Sequence, residues 1–330
     1  MKTNQVTIKD IAKLSGYSIN TVSRALNGSG YVSKQAKQKI LEVAKNIGYY
    51  KDRTALSLRQ KKTKIIGVII VDNSNPFYAD VLSGIEDAAY EKGFETILVN
   101  SYRDPEREKK AVIKMIERRV DGLIITSTQQ NWELLLSAKQ KTNVVVVGSH
   151  YRGLKSVRPD DQKIGYIATK YLIQMGHKSI VMFNSLPEKF TSQFRQKGYQ
   201  LAMEEAGLES HIINSAEGFE NSYERFKEFF QEKDSRKFTA VLCYNDIFAY
   251  AVIKIAKDLK IDVPNQLSVM GIDDLVFSAI IDPPLTTVHI DRRELGKLAF
   301  LSVIGENSTE ETVIDVHLVE RSSVARKTSV

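Results

Sequence analysis

From Ile65 onward the chain repeats one pattern twice: short, continuously apolar runs alternate with stretches of helical periodicity. The runs Ile65–Val71, Thr96–Val99, Gly122–Ile125 and Val144–Val147 read as buried parallel strands, with helices near 78–92, 105–119 and 131–141 between them. A second set begins after Asp160-Asp161. Its strands lie near Ile180–Phe183, His211–Ile213, Ala240–Cys243 and Ser268–Gly271, and its helices near 164–176, 193–206, 222–232 and 246–259. Two such sets imply two doubly wound lobes, an arrangement that encloses a ligand between the carboxyl ends of the strands. Where a glycine-rich phosphate loop would follow the first strand, the chain has Asp72-Asn73-Ser74-Asn75-Pro76-Phe77-Tyr78, which argues against a Rossmann cofactor site or a P-loop. Gly207–Glu217 and Gly305–Glu311 read as surface connections.

The first 26 residues obey a different rule. Residues 7–26 hold two short amphipathic helices joined at Ser15-Gly16-Tyr17, where Gly16 permits a tight turn. The first helix is expected to bury Ile8, Ile11, Ala12 and Leu14. The second, capped by Ser18, turns Val22, Ala25 and Leu26 inward and leaves Ile19, Asn20, Thr21, Ser23 and Arg24 outside or at its start. A third helix from Ser33 carries Ile40, Leu41, Val43, Ala44 and Ile47 and completes a small core. This is a helix-turn-helix, a fold that reads DNA.

Charge supports that reading independently. Residues 1–64 contain 14 Lys and Arg against Asp10, Glu42 and Asp52, so this part carries +11 while the whole chain carries +7, leaving −4 on the rest. A basic head on a mildly acidic body suits phosphate binding at one end. The basic stretch 51–64 between them has few apolar residues and is marginal as an isolated helix; it is either an inert charged linker or a segment that folds when docked on a duplex.

At 330 residues and 42% hydrophobic, the chain can bury two or three cores. Its start has no apolar signal run, and no stretch is long and apolar enough to span a bilayer, so a cytoplasmic location without membrane association is expected. Cys243 is the only cysteine and lies in the apolar run Ala240–Cys243, a buried strand position rather than a nucleophile. No metal site, cofactor or catalytic constellation is expected: Asp72, His150, Asp160 and Asp273 are scattered, with no motif linking them as acid, base or metal ligands.

Several motifs, in order and spacing, give the chain a specific likeness over essentially its whole length. In the head they are Thr7-Ile8-Lys9-Asp10-Ile11-Ala12, Thr21-Val22-Ser23-Arg24-Ala25-Leu26-Asn27 and Val32-Ser33. In the body they are Asn75-Pro76-Phe77-Tyr78, Gly176-His177, Asn245-Asp246, Gly271-Ile272-Asp273-Asp274 and Pro284-Leu285-Thr286-Thr287-Val288. With these the chain resembles the lactose-repressor (LacI/GalR) family of bacterial transcription regulators.

The resemblance implies a division of labour. Ile19 and Asn20 match the pair that sets operator preference in the major groove, and Arg24 matches a base- or phosphate-contacting arginine. Asn20 can make paired hydrogen bonds to adenine or bridge neighbouring bases; Ile19 offers only apolar contact, or is partly buried in the head. Thr7, Ser18, Thr21, Ser23, Asn27 and Tyr31 would clamp phosphates. Leu58, beside Ala55 and Ser57, matches a leucine that a hinge helix pushes into the minor groove, although Lys51 stands where a proline is usual and Leu56 where an arginine is common. In the core, Arg195, Asp273 and Asn245 match side chains that hold ligand hydroxyls, Phe219 an aromatic face, and Phe77, Tyr78 and Asp160 ligand-facing positions of the first lobe. Each has a plainer reading: Asn245-Asp246 can cap a helix, Asp273 can cap a turn, and Phe219 can be core.

The expectation is therefore an all-α helix-turn-helix head (1–50), a hinge segment (51–63) and an α/β periplasmic-binding-protein-like core of two doubly wound parallel-sheet lobes (64–330). The first lobe would take about 64–161 and 290–318, the second about 162–289 and 319–330. The expected function is repression of carbohydrate genes by a homodimer on double-stranded operator DNA, controlled by a sugar or sugar phosphate between the lobes. The alternatives are a purine or a phosphoprotein co-repressor in the same role, or a sugar-binding protein or enzyme without DNA. No leucine heptads follow Val319, so a tetramer-forming coiled coil is not expected.

Overall fold

The computed structural model describes residues 6–50 and 62–327 and divides into two compact units between Thr63 and Lys64. In the first unit, α1 (Ile8–Ser15), α2 (Ile19–Asn27) and α3 (Lys34–Asn46) enclose Ile11, Val22, Ala25, Ile40 and Ala44. Gly16 sits at φ 76° and its N–H closes α1 on the Ala12 carbonyl. Ser18 and Ser33 accept from the backbone N–H of Thr21 and Ala36, each at 3.2 Å, which fixes where α2 and α3 begin. Two expected core residues lie outside it. Leu14 is 58% exposed, because the buried stripe of α1 runs through Ile8, Ile11 and Ser15 and Leu14 falls beyond its margin; Leu41 is 45% exposed, one residue off the Ala36, Ile40, Ala44 stripe of α3.

The second unit holds two parallel sheets. The first has the order β11-β5-β4-β3-β1-β2, built from β1 (Ile65–Ile70), β2 (Glu95–Asn100), β3 (Gly122–Ile125), β4 (Asn143–Val147), β5 (Lys155–Pro159) and β11 (Glu311–Ile314). Helices α4 (Pro76–Glu91), α5 (Pro105–Glu117), α6 (Trp132–Lys139) and α11 (Arg292–Val303) belong to the same lobe. The second sheet, β7-β6-β8-β9, uses β6 (Ile180–Asn184), β7 (His211–Asn214), β8 (Ala240–Cys243) and β9 (Ser268–Met270), joined by α8 (Phe190–Glu205), α9 (Phe219–Gln231) and α10 (Asp246–Asp258). The helix α7 (Asp161–Gln174) precedes β6 and packs along α8.

Sequence periodicity finds β1 to β4 and β6 to β9 but not β5, β11 or the antiparallel pair β10 (Thr287–Ile290) and β12 (Val316–Val319), nor α11. These late elements decide how the lobes are joined. The chain passes between lobes three times, after β5, after β10 and after β11, and one apolar cluster runs from Val68 and Ile124 through Ile290 and Val316 to Met182 and Leu242. Gly207–Glu217, expected to run over the surface, includes the strand expected near His211–Ile213 as β7, which forms the edge of the second sheet beside β6.

Each lobe also has one helix pair in backbone contact. A Cβ on Gly84 would lie 2.0 Å from the Arg293 carbonyl oxygen, and one on Gly296 2.0 Å from that of Val81, so α4 and α11 meet through glycine on both sides. In the other lobe Gly165 and Gly198 do the same against the carbonyls of Arg195 and Gln162, seating α8 against α7.

Candidate ligand cleft and nucleic-acid interface

The second helix of the head presents Ile19, 49% exposed, together with exposed Asn20, Arg24 and Asn27. Ser18 and Thr21 share a hydroxyl contact of 2.9 Å, and Asn27 donates to the Ser23 hydroxyl at 3.2 Å. Thr7 turns toward its own helix, donating from N and Oγ1 to Asp10 at 2.8 and 2.7 Å. Tyr31 is 92% exposed, and the Arg24 side chain runs past Gly30. The head thus offers one face of amides, hydroxyls and a guanidinium over a compact core, the donor and acceptor set that reads base edges and phosphates. Leu58 and the rest of the hinge expectation, with Lys51, Ala55, Leu56 and Ser57, lie outside the described residues.

In the core, the carboxyl ends of both sheets border a cavity of about 600 Å³. Five sequence-expected residues line it: Phe77 and Tyr78 from the start of α4, Arg195 from α8, Asn245 before α10 and Asp273 after β9. Two do not. Asp160 faces its own helix, accepting from the Lys163 N–H at 3.0 Å as the cap of α7; Phe219 is 38% exposed at the start of α9, where it stacks on Tyr223. The first turn of α9 points Phe219 along the surface, while Glu217 just before it reaches the cavity.

Arg195 is the pivot of the cleft floor. Its Nε donates to Asp161 Oδ1 at 2.9 Å, its Nη1 to the Tyr244 carbonyl at 2.5 Å, and its guanidinium lies over the Tyr244 ring. Burial opposes its charge, but Asp161 and Asp273 outweigh that and hold it protonated. Asp273 is buried at φ 118°, its Oδ1 3.8 Å from Arg195 Nη2 and without a hydrogen bond among the described residues. Burial pushes its carboxyl up to about 8 and that of Asp161 to about 6. Asn245 also keeps its plain role, accepting from the Phe248 N–H at 3.0 Å. Two hydroxyls of the cleft wall, Thr128 Oγ1 and Ser149 Oγ, are likewise buried without partners among the described residues.

Sequence reasoning missed the groups that join the lobes across this cavity. Arg103 of the first lobe donates to Asp72 at 3.1 Å and to Glu217 of the second at 3.2 Å, and Glu217 also receives Lys189 at 2.5 Å. Burial disfavours the Glu217 anion, yet Lys189 and Arg103 pull its carboxyl below its ordinary value. Gln129 Oε1 accepts from the Phe190 N–H at 3.0 Å, tying the first lobe to the start of α8. The loop that carries Gln129 is held by buried Glu108, which accepts from Thr128 N, Ser127 Oγ and Asn131 Nδ2 at 2.6, 3.2 and 3.0 Å. The only sequence signal for these pairs was charge, and their separations, 114 residues for Arg103 and Glu217, put them beyond local pattern.

Residues 7–52 match the model of bacterial regulatory proteins, lacI family, and residues 63–326 that of periplasmic binding proteins and sugar binding domain of LacI family. The HTH-type transcriptional repressor PurR of Histophilus somni (strain 2336) is 34% identical over 330 residues, covering 96% of this chain and 98% of that protein. PurR of Photobacterium profundum is 32% identical with the same coverage. Among solved structures, the lac repressor dimer bound to operator and the anti-inducer ONPF aligns with a TM-score of 0.89 at 21% identity, over 98% of this chain and 100% of that one. A LacI family transcriptional regulator from Enterococcus faecium with bound ribose aligns with a TM-score of 0.72 at 23% identity, over 80% and 100%. These two are likenesses of fold.

Proposed function

The chain belongs to the lacI family of bacterial regulatory proteins, as a DNA-binding transcriptional repressor rather than an enzyme, and from that premise we propose that a small molecule held between its lobes controls its grip on an operator. The observation that carries this reading is the cavity itself: about 600 Å³, bordered by both lobes, and lined by Arg195, Asn245 and Asp273. A volume of that size holds a ligand of one or two rings. Because the lobes are joined by three chain crossings, a ligand that touches both favours one inter-lobe angle, and a coupling of ~1–3 kcal/mol suffices for a switch.

The effector we favour is a sugar, with Arg195, Asp273 and Asn245 on its hydroxyls and Phe77 and Tyr78 against its apolar face. A purine base is the second reading, favoured by the full-length relatives that bear the name PurR. Ile19, Asn20 and Arg24 are proposed to read the operator, with Ser18, Thr21, Ser23, Asn27 and Tyr31 on phosphates. Thr7 in this reading positions α1 through Asp10. The acting species is a cytoplasmic homodimer, since one head spans few base pairs and two-fold operators match two-fold proteins. Among the described residues, no helix is long and apolar enough to cross a membrane.

The test is operator affinity measured against a panel of sugars and purines, with the intact chain and with Arg195→Ala. A change in affinity with one compound, lost in the variant while operator binding persists, is the expected result. An operator affinity that no compound alters would contradict the reading, and a monomer by light scattering at micromolar concentration would contradict the dimer.

A further inference from the structure

The charges around the cavity are balanced in an unusual way: among the described residues, every cation that reaches it is already held by a carboxylate of the protein. Arg103 spends Nε and Nη2 on Glu217 and Nη1 on Asp72. Lys189 sits on Glu217 at 2.5 Å, and Arg195 on Asp161 at 2.9 Å, with its Nη1 on a backbone carbonyl. Arg195 Nη2 lies 3.8 Å from Asp273 Oδ1, so no cation of the described lining stands without a carboxylate partner.

The helix starts that border the cavity are partly closed in the same sense. Asn75 caps the Phe77 N–H and Asn245 the Phe248 N–H, and Gln129 occupies the Phe190 N–H, each at 3.0 Å. Each of these acceptors removes one backbone donor that could otherwise hold an anion. What remains open is of the other kind: Asp273 Oδ1 and the hydroxyls of Thr128 and Ser149, buried and without partners among the described residues. An anion entering this cavity would face Glu217 and find no unpaired cation among the described residues, whereas a neutral ligand with several O–H or N–H groups would satisfy atoms whose solitude is costly.

We propose that the cleft selects an uncharged ligand rich in hydrogen-bond donors and excludes the phosphorylated form of the same compound, with Glu217 as the residue that sets this preference by neutralising Arg103 and Lys189. The inference rests on the cleft being the effector site, and it narrows the sugar-or-sugar-phosphate expectation to the unphosphorylated member.

The experiment is a thermal-shift titration of the full chain with matched pairs: ribose and ribose 5-phosphate, glucose and glucose 6-phosphate, adenine and AMP, with calorimetry on any pair that responds. In a responding pair the neutral compound is expected to bind at least about 10-fold more tightly. Glu217→Gln frees Lys189 and leaves Arg103 only Asp72, and its phosphorylated-to-neutral affinity ratio should rise about 10-fold or more; adding Lys189→Gln should cancel most of that gain. Retained binding of the neutral compound reports that the variants are folded, and if they are not, the wild-type ratio decides alone. A phosphorylated compound that binds wild type as well as or better than its neutral partner overturns the proposal while leaving the cleft as the effector site. An unchanged ratio in a folded Glu217→Gln overturns the role of Glu217. A core that responds to no compound of either kind overturns the effector site and the proposal together.

Discussion

At Asp273 burial holds the carboxyl up at about 8, so between about pH 4 and pH 8 the folded protein keeps a proton that the unfolded chain releases. Stability from this group is therefore present at low pH and lost as pH rises, by at most about 1.4 kcal/mol per pH unit. Asp273→Asn should melt higher than wild type at pH 7.5, with the gap shrinking toward pH 5, and should lose its small-molecule response. A gap independent of pH would show that the carboxyl is ionised throughout. His177 works with the opposite sign. It is buried between Thr239 Oγ1 (2.8 Å) and the Ala325 carbonyl (3.1 Å), and burial lowers it to about 4. Its contribution is intact above about pH 6.5 and is lost as pH falls toward 4, because only the unfolded chain takes up the proton. In thermal denaturation His177→Gln should lie below wild type at pH 7 and converge on it at pH 4 to 5. The sequence placed Asp273 and Arg195 by motif, but not Asp161, Arg103 or Glu217, since a charge in a sequence has no partner until the fold supplies one.

Elements were legible where their signals are local. Ser18 and Ser33 cap within three residues, and the apolar runs of β1, β3, β4, β6 and β8 are continuous because both faces of a parallel sheet are covered. β5 lacks that signature because Lys155 and Arg158 interrupt it, beside the edge strand β11, and the β10–β12 pair, with His289 opposite His317, lies between the lobes. Phe219 was misplaced for a related reason: an aromatic at a helix start can face the cleft or the surface, and only the direction of the preceding Gly218 turn, φ 105°, decides. The close helix pairs make a separate prediction. Gly165→Ala drives a methyl into the Arg195 carbonyl, and Gly84→Ala one into that of Arg293. Each should cost ~1–3 kcal/mol, read as a lower melting temperature. Gly165→Ala should weaken ligand binding more than Gly84→Ala, because the carbonyl it displaces is that of Arg195 itself, whereas Arg293 lies outside the cavity lining; equal binding by both variants would remove that link. In the head, Ser18→Ala should cost ~1 kcal/mol through loss of the cap, whereas Asn20→Ala should leave stability alone and change which operator is preferred in a binding-site selection.

For the molecule as a whole, charge is split as the two units are: +10 within residues 1–63 against −3 on the rest. Operator affinity should therefore fall steeply and linearly in log–log form with salt, while effector affinity, set among mutually neutralised groups, should barely move between about 50 and 200 mM, values at which phosphate contacts show their effect. Comparable salt slopes for both would mean that the cleft binds through net charge. The three crossings between lobes carry one more consequence, for synthesis. Neither lobe is a contiguous stretch of chain: the first needs α11 and β11, and the second needs Ser323, which bonds Val269 and Thr286, and Val324 in the core. On the ribosome the head emerges before the two lobes, with its own small core, and neither lobe can close until residues 311–324 have been made. A nonsense codon near position 290 would thus release a head without a sensor, and premature termination converts regulation into plain DNA occupancy or into degradation, never into a half-working switch.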